Sequence, residues 1–140
     1  MEHAIGFPIL CLDIKGTVLV QRTKDDLETC TSNGLSNGYY SNLTLIDSSK
    51  KKWTVIDAVK IGNVGGLWGW RLPFFSRLIH VRLSISPQGV LTLEAIKQLV
   101  IAQFEKLPHL WEASDDLDTW KSRVMNATTF EELLELFHEP

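Results

Sequence analysis

The order of apolar and polar positions predicts strands in the first two thirds of the chain. Residues 9–14 and 18–20 are rich in aliphatic and β-branched side chains and flank a Lys-Gly pair, which indicates a hairpin or one bent strand. Residues 43–46 and 53–56 are joined by a polar loop and predict a second hairpin. In residues 78–85, apolar side chains alternate with polar ones, the period of two of a strand with one buried face.

Helical signals dominate the last third of the chain. One short helix is predicted earlier, over residues 23–31, because a threonine precedes two acidic residues there. Apolar side chains at spacings of three and four then predict a helix over residues 92–107. Residues 109–113 read as a loop, and a second helix follows over residues 114–126, capped by its serine. A capping box opens a last helix over residues 128–137.

Strands followed by helices favour an α+β fold over a doubly wound parallel one, which would need the two to alternate. We expect an antiparallel sheet of about four or five strands, mostly within residues 8–86, and a turn at residues 87–89 that ends the last strand. The short N-terminal helix and three C-terminal helices are expected to pack on one face of this sheet. Residues 1–140 are expected to form a single domain, given the length and the lack of a linker.

Composition excludes the disordered and membrane classes. The hydrophobic fraction is 44% and the charged fraction is 22%, both ordinary for a globular protein. No apolar run reaches the roughly 18 residues that span a bilayer. The N-terminal stretch carries Glu2, lacks basic residues before its apolar part, and is broken by Pro8 and Asp13, unlike a secretory signal. We therefore predict a cytoplasmic protein.

Charge is distributed unevenly along the chain. The net charge is −3, but residues 1–104 carry 11 basic and 8 acidic side chains (+3), whereas residues 105–140 carry 3 and 9 (−6). Solvated helix faces give such a count, and so does a surface that attracts a basic partner. If a partner binds here, the candidate residues are Glu112, Asp115, Asp116, Asp118, Glu131, Glu132 and Glu135.

Residues 62–75 concentrate glycine and aromatic side chains and are the candidate for a ligand pocket. The glycine spacing does not match a dinucleotide-binding turn, and no lysine with serine or threonine follows it as in a P-loop. One interpretation is a connection whose aromatic side chains cover the end of the sheet. The alternative is a pocket in a small-molecule-binding or enzymatic domain, lined by Trp68, Trp70, Arg71 and Phe75. A nucleic-acid site is not expected, because the chain is acidic.

Other candidate chemistry is scattered. Four histidines, two cysteines and three strand-associated aspartates never form a motif with metal-ligand or nucleophile spacing. We therefore expect no cofactor, no metal and no catalysis. The residues concerned are His3, His80, His109, His138, Cys11, Cys30, Asp13, Asp47 and Asp57.

The chain resembles small uncharacterised bacterial α+β proteins, some of which are immunity proteins of toxins. The resemblance covers residues 40–137 and rests on four features: Leu-Thr-Leu-Ile-Asp47 with residues 53–60, the loop with Trp68-Gly69-Trp70, the strand over residues 78–85, and the helical part with Trp111-Glu112, Asp118 and Trp120. It implies a non-catalytic protein that binds another protein, such as a basic toxin or nuclease, and it assigns no functional residue. A homodimer formed through an exposed strand edge is a further expectation.

Overall fold

A computed structural model of the chain describes residues 5–31, 35, 38, 40–63 and 78–137. These residues contain six strands and five helices, which confirms the α+β class. The strands are β1 (Ile9–Leu12), β2 (Val18–Gln21), β3 (Thr29–Thr31), β4 (Thr44–Ile46), β5 (Lys51–Asn63) and β6 (Leu78–Val90). The helices are α1 (Lys24–Leu27), α2 (Leu93–Lys106), α3 (Pro108–Glu112), α4 (Leu117–Asn126) and α5 (Phe130–Glu135).

The strands form one antiparallel sheet in the order β2-β1-β4-β5-β6-β3. Both predicted hairpins are confirmed, with β1 paired to β2 and β4 paired to β5. The β5–β6 pair is the longest, since each strand has 13 residues and the pairing runs from Lys51 opposite Val90 to Asn63 opposite Ile79. Three register shifts interrupt this pairing and bend the two strands.

The sheet curls because its two edge strands are tied together by α1. Only residues 22–28 separate the end of β2 from the start of β3, and α1 contacts both strands. Glu28, which follows α1, binds β6 twice. Its backbone oxygen accepts a hydrogen bond from the Val81 N–H at 2.8 Å, and its carboxylate accepts one from the Leu83 N–H at 3.2 Å.

The curl gives the sheet an inner and an outer face, each with its own hydrophobic cluster. The β1 sequence Ile-Leu-Cys-Leu is buried at all four positions, since β1 contributes alternate side chains to both clusters. Helices α2 to α5 pack on the outer face over Leu10, Leu12 and Ile46. The inner cluster consists of Ile9, Cys11, Leu27, Tyr40, Leu43, Leu45, Trp53, Val55, Ile79 and Val81.

The predicted strand count and helix arrangement were wrong. The described residues contain six strands, where four or five were expected, and four C-terminal helices, where three were expected. The helices do not share one face. Helix α1 contributes Leu27 to the inner cluster, whereas α2 to α5 cover the outer face, because a curled sheet presents two apolar surfaces that both need cover.

Four predicted boundaries also need correction. The helix expected over residues 23–31 ends at Leu27, and β3 follows because residues 29–31 pair with β6. The turn expected at residues 87–89 is instead the end of β6: an exposed Pro87 faces Trp53 next to a register shift. The loop expected over residues 109–113 is helix α3, which begins at a proline with no N–H to satisfy. Helix α4 is capped by Asp116, not by the serine predicted at residue 114.

The helix predicted over residues 92–107 is confirmed, whereas the last helix begins at Phe130 with Thr129 as its N-cap, later than the capping box at residue 128 predicted. Thr92 caps α2 by accepting a hydrogen bond from the Ala95 N–H at 3.1 Å. The predicted core positions of α5 are buried, and Phe137 joins Phe104, Trp111 and Trp120 in a cluster with ring centroids 4.6–6.2 Å apart. None of the helices in the described ranges has the length and apolar character needed to cross a membrane.

Candidate functional site

Three of the seven predicted partner-binding carboxylates have local roles. Asp115 forms an ion pair with Arg123 at 2.8 Å. Asp116 is the N-cap of α4, and hydrogen bonds from Thr119 lower its pKa. Glu132 accepts hydrogen bonds from the backbone N–H and the hydroxyl of Thr128, which lower its pKa. The local fold therefore accounts for these three residues.

The other four carboxylates are exposed and have no hydrogen-bond or ion-pair partner among the described residues. We call Glu112, Asp118, Glu131 and Glu135 the free carboxylates. Asp118 and Glu131 lie in the first turns of α4 and α5, where a negative charge is favoured by the helix dipole. That local benefit is a sufficient reason for these two positions.

Glu112 and Glu135 occupy positions where a negative charge is locally unfavourable. Each is the last residue of its helix, α3 and α5 respectively, close to carbonyl groups that carry partial negative charge. The last turn of α5 contains no basic residue, and that of α3 contains only His109. A misplaced charge costs about as much as a favourable one contributes, about 0.3–1 kcal/mol in a long helix and less in helices of 5 and 6 residues. Local stability therefore does not explain these two residues.

The predicted pocket residues Trp68, Trp70, Arg71 and Phe75 lie outside the described residues. The first two residues of the segment 62–75 are the last two of β5, and β6 begins at Leu78. Among the described residues, an open pocket of about 150 Å³ lies between β5 and the chain that precedes β4. It is lined by Leu35, Gly38, Tyr40, Ser41, Ile56, Asp57 and Ala58.

Two of the three aspartates considered for acid–base chemistry, Asp13 and Asp47, bind turns, whereas Asp57 is exposed within β5. One carboxylate oxygen of Asp13 accepts hydrogen bonds from the backbone N–H groups of Lys15, Gly16 and Thr17. Burial alone would raise the pKa of Asp13, but these bonds and one from the Thr17 hydroxyl lower it. Asp47 is 2% exposed and accepts hydrogen bonds from the N–H groups of residues 49 and 51 and from the Trp53 indole at 2.9 Å. Both carboxylates thus stabilise local structure.

Cys11 and His80 occupy positions that suit structural roles, whereas His109 is exposed on α3. Burial raises the pKa of the Cys11 thiol to about 12, so it carries no thiolate at neutral pH. His80 is half-buried in β6, with Nδ1 3.3 Å from the Thr29 hydroxyl of β3. Within the described ranges, no three His, Cys, Asp or Glu side chains converge as a metal site would require.

Two buried polar side chains of α2 hold neighbouring elements: Gln103, which the helical pattern of residues 92–107 included, and Lys97, which it did not. The Gln103 amide donates hydrogen bonds to the backbone oxygens of Asp13 at 2.7 Å and Thr17 at 2.9 Å, which fixes the β1–β2 turn on α2. Lys97 donates a hydrogen bond to the Met125 oxygen at 2.9 Å, at the C-terminal end of α4. A positive charge stabilises this helix end. Polar residues on an apolar helix stripe were the available sequence signal.

Comparison with known proteins gives no relative from which function could be transferred. No family model, no curated protein and no solved structure matches the chain.

Proposed function

We propose that this protein binds a basic protein partner through the free carboxylates of its C-terminal helices. The observation that carries the proposal is the placement of Glu112 and Glu135 at helix C-termini, against the helix dipole. Exposed residues that lower local stability are best explained by a role outside the fold. Residues 105–137 of the described chain contain 8 acidic and 3 basic side chains, a net charge of −5, so the field around them attracts cations.

The finer proposal is that the partner is a toxin or nuclease that the protein inhibits. An acidic surface accelerates association with a basic enzyme, and rapid association suits an inhibitor that must reach its target before damage occurs. Three of the groups considered for chemistry have structural roles: the Asp13 and Asp47 carboxylates bind turns and Cys11 is a buried thiol.

The test compares the double variant Glu112→Gln/Glu135→Gln with the control Asp25→Asn/Asp26→Asn. Both variants remove two negative charges, but the control charges lie in the first turn of α1, away from the acidic helices. The wild-type chain first captures its partner from the source organism, and association rates are then measured with the purified partner at low and at physiological salt. Inhibition of the partner's enzymatic activity is measured in parallel.

We expect the double variant to associate several-fold more slowly at low salt, with a smaller difference at higher salt, because screening weakens steering. Its free energy of unfolding should equal or exceed that of the wild type, since two unfavourable charges are gone. The control should associate at nearly the wild-type rate. Equal association rates for both variants, or a less stable double variant, would refute the role assigned to Glu112 and Glu135.

A further inference from the structure

The half of the β5–β6 hairpin beyond Val55 presents apolar side chains on its outer face. Ala58, Val81 and Leu83 belong to the inner cluster or pack against it. Val59 pairs with Arg82 directly beside the Ala58–Leu83 pair. Because side chains alternate along a strand, Val59 and Arg82 point to the outer face. Two register shifts place Ile56 and Ile61 in the β5 strand as extra residues. The exposed fractions are 68% for Ile56, 54% for Val59 and 56% for Ile61.

The C-terminal helices do not cover this outer surface. They pack over β1, β2 and β4 through Leu10, Leu12, Ile46, Val18 and Val20. We call the uncovered part, made of Ile56, Asp57, Val59, Ile61 and Arg82, the hairpin face. All five of its side chains are exposed.

Strand β4 pairs with β5 only at residues 52–54, so beyond Val55 no described strand pairs with that side of β5. This free side is protected against the addition of another strand. Lys60 is exposed between Val59 and Ile61, and a register shift lies on each side of Val59. Charged residues and bulges on an edge strand are the usual means of preventing strand addition. The homodimer that the sequence predicted, formed by pairing of strand edges, is therefore disfavoured. Nothing comparable opposes a contact through the hairpin face.

The charges on the hairpin face are self-complementary. Asp57 lies two residues from Val59 along β5, a distance of about 7 Å, and Arg82 lies directly opposite Val59 on β6, about 5 Å away. Consider a twofold axis that passes over Val59, parallel to the sheet, and bisects the directions to Asp57 and Arg82. Rotation about this axis brings Asp57 of one copy to Arg82 of the other. The same operation brings Asp57 of the second copy to Arg82 of the first. The length of the arginine side chain spans the remaining difference of about 2 Å.

We propose that the hairpin face binds a second copy of this chain and forms a twofold symmetric homodimer. The apolar side chains around Val59 fill the centre, and two Asp57–Arg82 pairs set the orientation. Five residues per copy give an interface smaller than the standard one of roughly 1,600 Å². Interfaces of this size are typical of weak, transient association, so we expect a dissociation constant above about 1 µM.

Sedimentation velocity on the purified protein, at concentrations up to about 1 mM, tests this proposal. Val59→Lys should raise the dissociation constant by at least about tenfold, and the milder Val59→Thr several-fold. Ile14→Lys is the matched control, since Ile14 is also β-branched and 54% exposed but lies in the β1–β2 turn. It should dimerise like the wild type. Circular dichroism establishes that each variant folds.

The charge pair provides a second test by reversal. Asp57→Arg and Arg82→Asp should each weaken the dimer, because each creates two like-charged contacts, and the combined variant should restore it. A wild-type chain that stays monomeric at about 1 mM, equal behaviour of Val59→Lys and Ile14→Lys, or no restoration in the combined variant would overturn the proposal. Growth beyond a dimer would do the same, since a twofold contact closes. These measurements need no other protein, so their outcome is independent of the proposed basic partner.

Discussion

Replacement of Gly16 by alanine measures how tightly the β1–β2 turn is held against the helical layer. Gly16 has a φ of +114°, a conformation that residues with a side chain rarely adopt. An added Cβ would lie 2.8 Å from the backbone oxygen of Gln103 and 2.9 Å from the Cβ of Lys106. Neither atom can swing away, because both belong to the frame of α2. The turn or the helix would have to shift.

The expected loss has two contributions. Backbone strain costs about 1–3 kcal/mol, and forced overpacking costs about 1–3 kcal/mol more. The free energy of unfolding should therefore fall by about 2–6 kcal/mol. A shift of the turn would also weaken two hydrogen bonds from α2 and α3 to the turn: those from the Gln103 amide to the Thr17 oxygen and from the Trp111 indole to the Gly16 oxygen, at 2.9 and 3.1 Å.

Two other glycines separate these contributions. Gly89 has a φ of +102° but nothing within 4 Å of an added Cβ, so Gly89→Ala should show the strain alone, about 1–3 kcal/mol. Gly62 has neither a positive φ nor a close neighbour, so Gly62→Ala should stay within about 0.5 kcal/mol of the wild type. Urea unfolding followed by circular dichroism gives all three values. If Gly16→Ala is no more destabilising than Gly89→Ala, the turn does not pack closely against α2.

Two further predictions concern the buried and partly buried carboxylates. Trp53→Phe removes the indole N–H that donates to buried Asp47 and should lower the free energy of unfolding by about 1.5–3 kcal/mol. Trp120→Phe removes a hydrogen bond to the neutral Trp111 oxygen and should lower it by about 0.5–1.5 kcal/mol. Urea unfolding measures both values, and equal losses would contradict this prediction. Because the pKa of Asp13 is lowered in the folded state, its stabilisation should be complete above the ordinary carboxyl pKa near 4 and be lost as the pH falls through the lowered value. Urea unfolding at a series of pH values should then show a steeper loss below about pH 4 for the wild type than for Asp13→Asn, and parallel curves would refute it.

Periodicity predicted the elements whose burial is regular along the sequence. Alternation identified β6, and spacings of three and four identified α2, whose side chains at positions 96, 100 and 104 are fully buried. Strand β3 was not predicted, because its three residues form a strand only by pairing with β6, more than 45 residues away. Helix α3 was not predicted, because five residues are too few to show the helical period of apolar positions. Long-range pairing and short length are the physical limits here.

The two faces of the sheet could not be predicted from its strands taken singly. The pattern of β1, apolar at every position, fits any strand buried on both sides, and it does not say what covers each side. The curl depends on the short connection that α1 makes between β2 and β3 and on the hydrogen bond from β6 to the Glu28 carboxylate. No sequence motif marks Glu28 for this role. One helical face was therefore expected where two covered surfaces exist.

The candidate site shows the same division between composition and placement. Composition identified an acidic C-terminal third, but it could not separate the carboxylates that serve the fold, such as Asp115 and Asp116, from those that do not. Only helix boundaries show that Glu112 and Glu135 end their helices. A prediction of α3 as a loop hides the unfavourable position of Glu112 altogether.

The two proposed contacts use different parts of the molecule and can operate together. The free carboxylates belong to α3, α4 and α5, which pack over β1, β2 and β4, whereas the hairpin face belongs to β5 and β6 beyond that cover. A homodimer through the hairpin face would leave both sets of free carboxylates exposed and carry twice the negative charge of one chain. Because association rates with a basic partner rise with the field around the acidic surface, dimerisation should accelerate capture without any change in the contacts themselves. Val59→Lys would then slow association at concentrations where the wild type dimerises and leave it nearly unchanged at dilution.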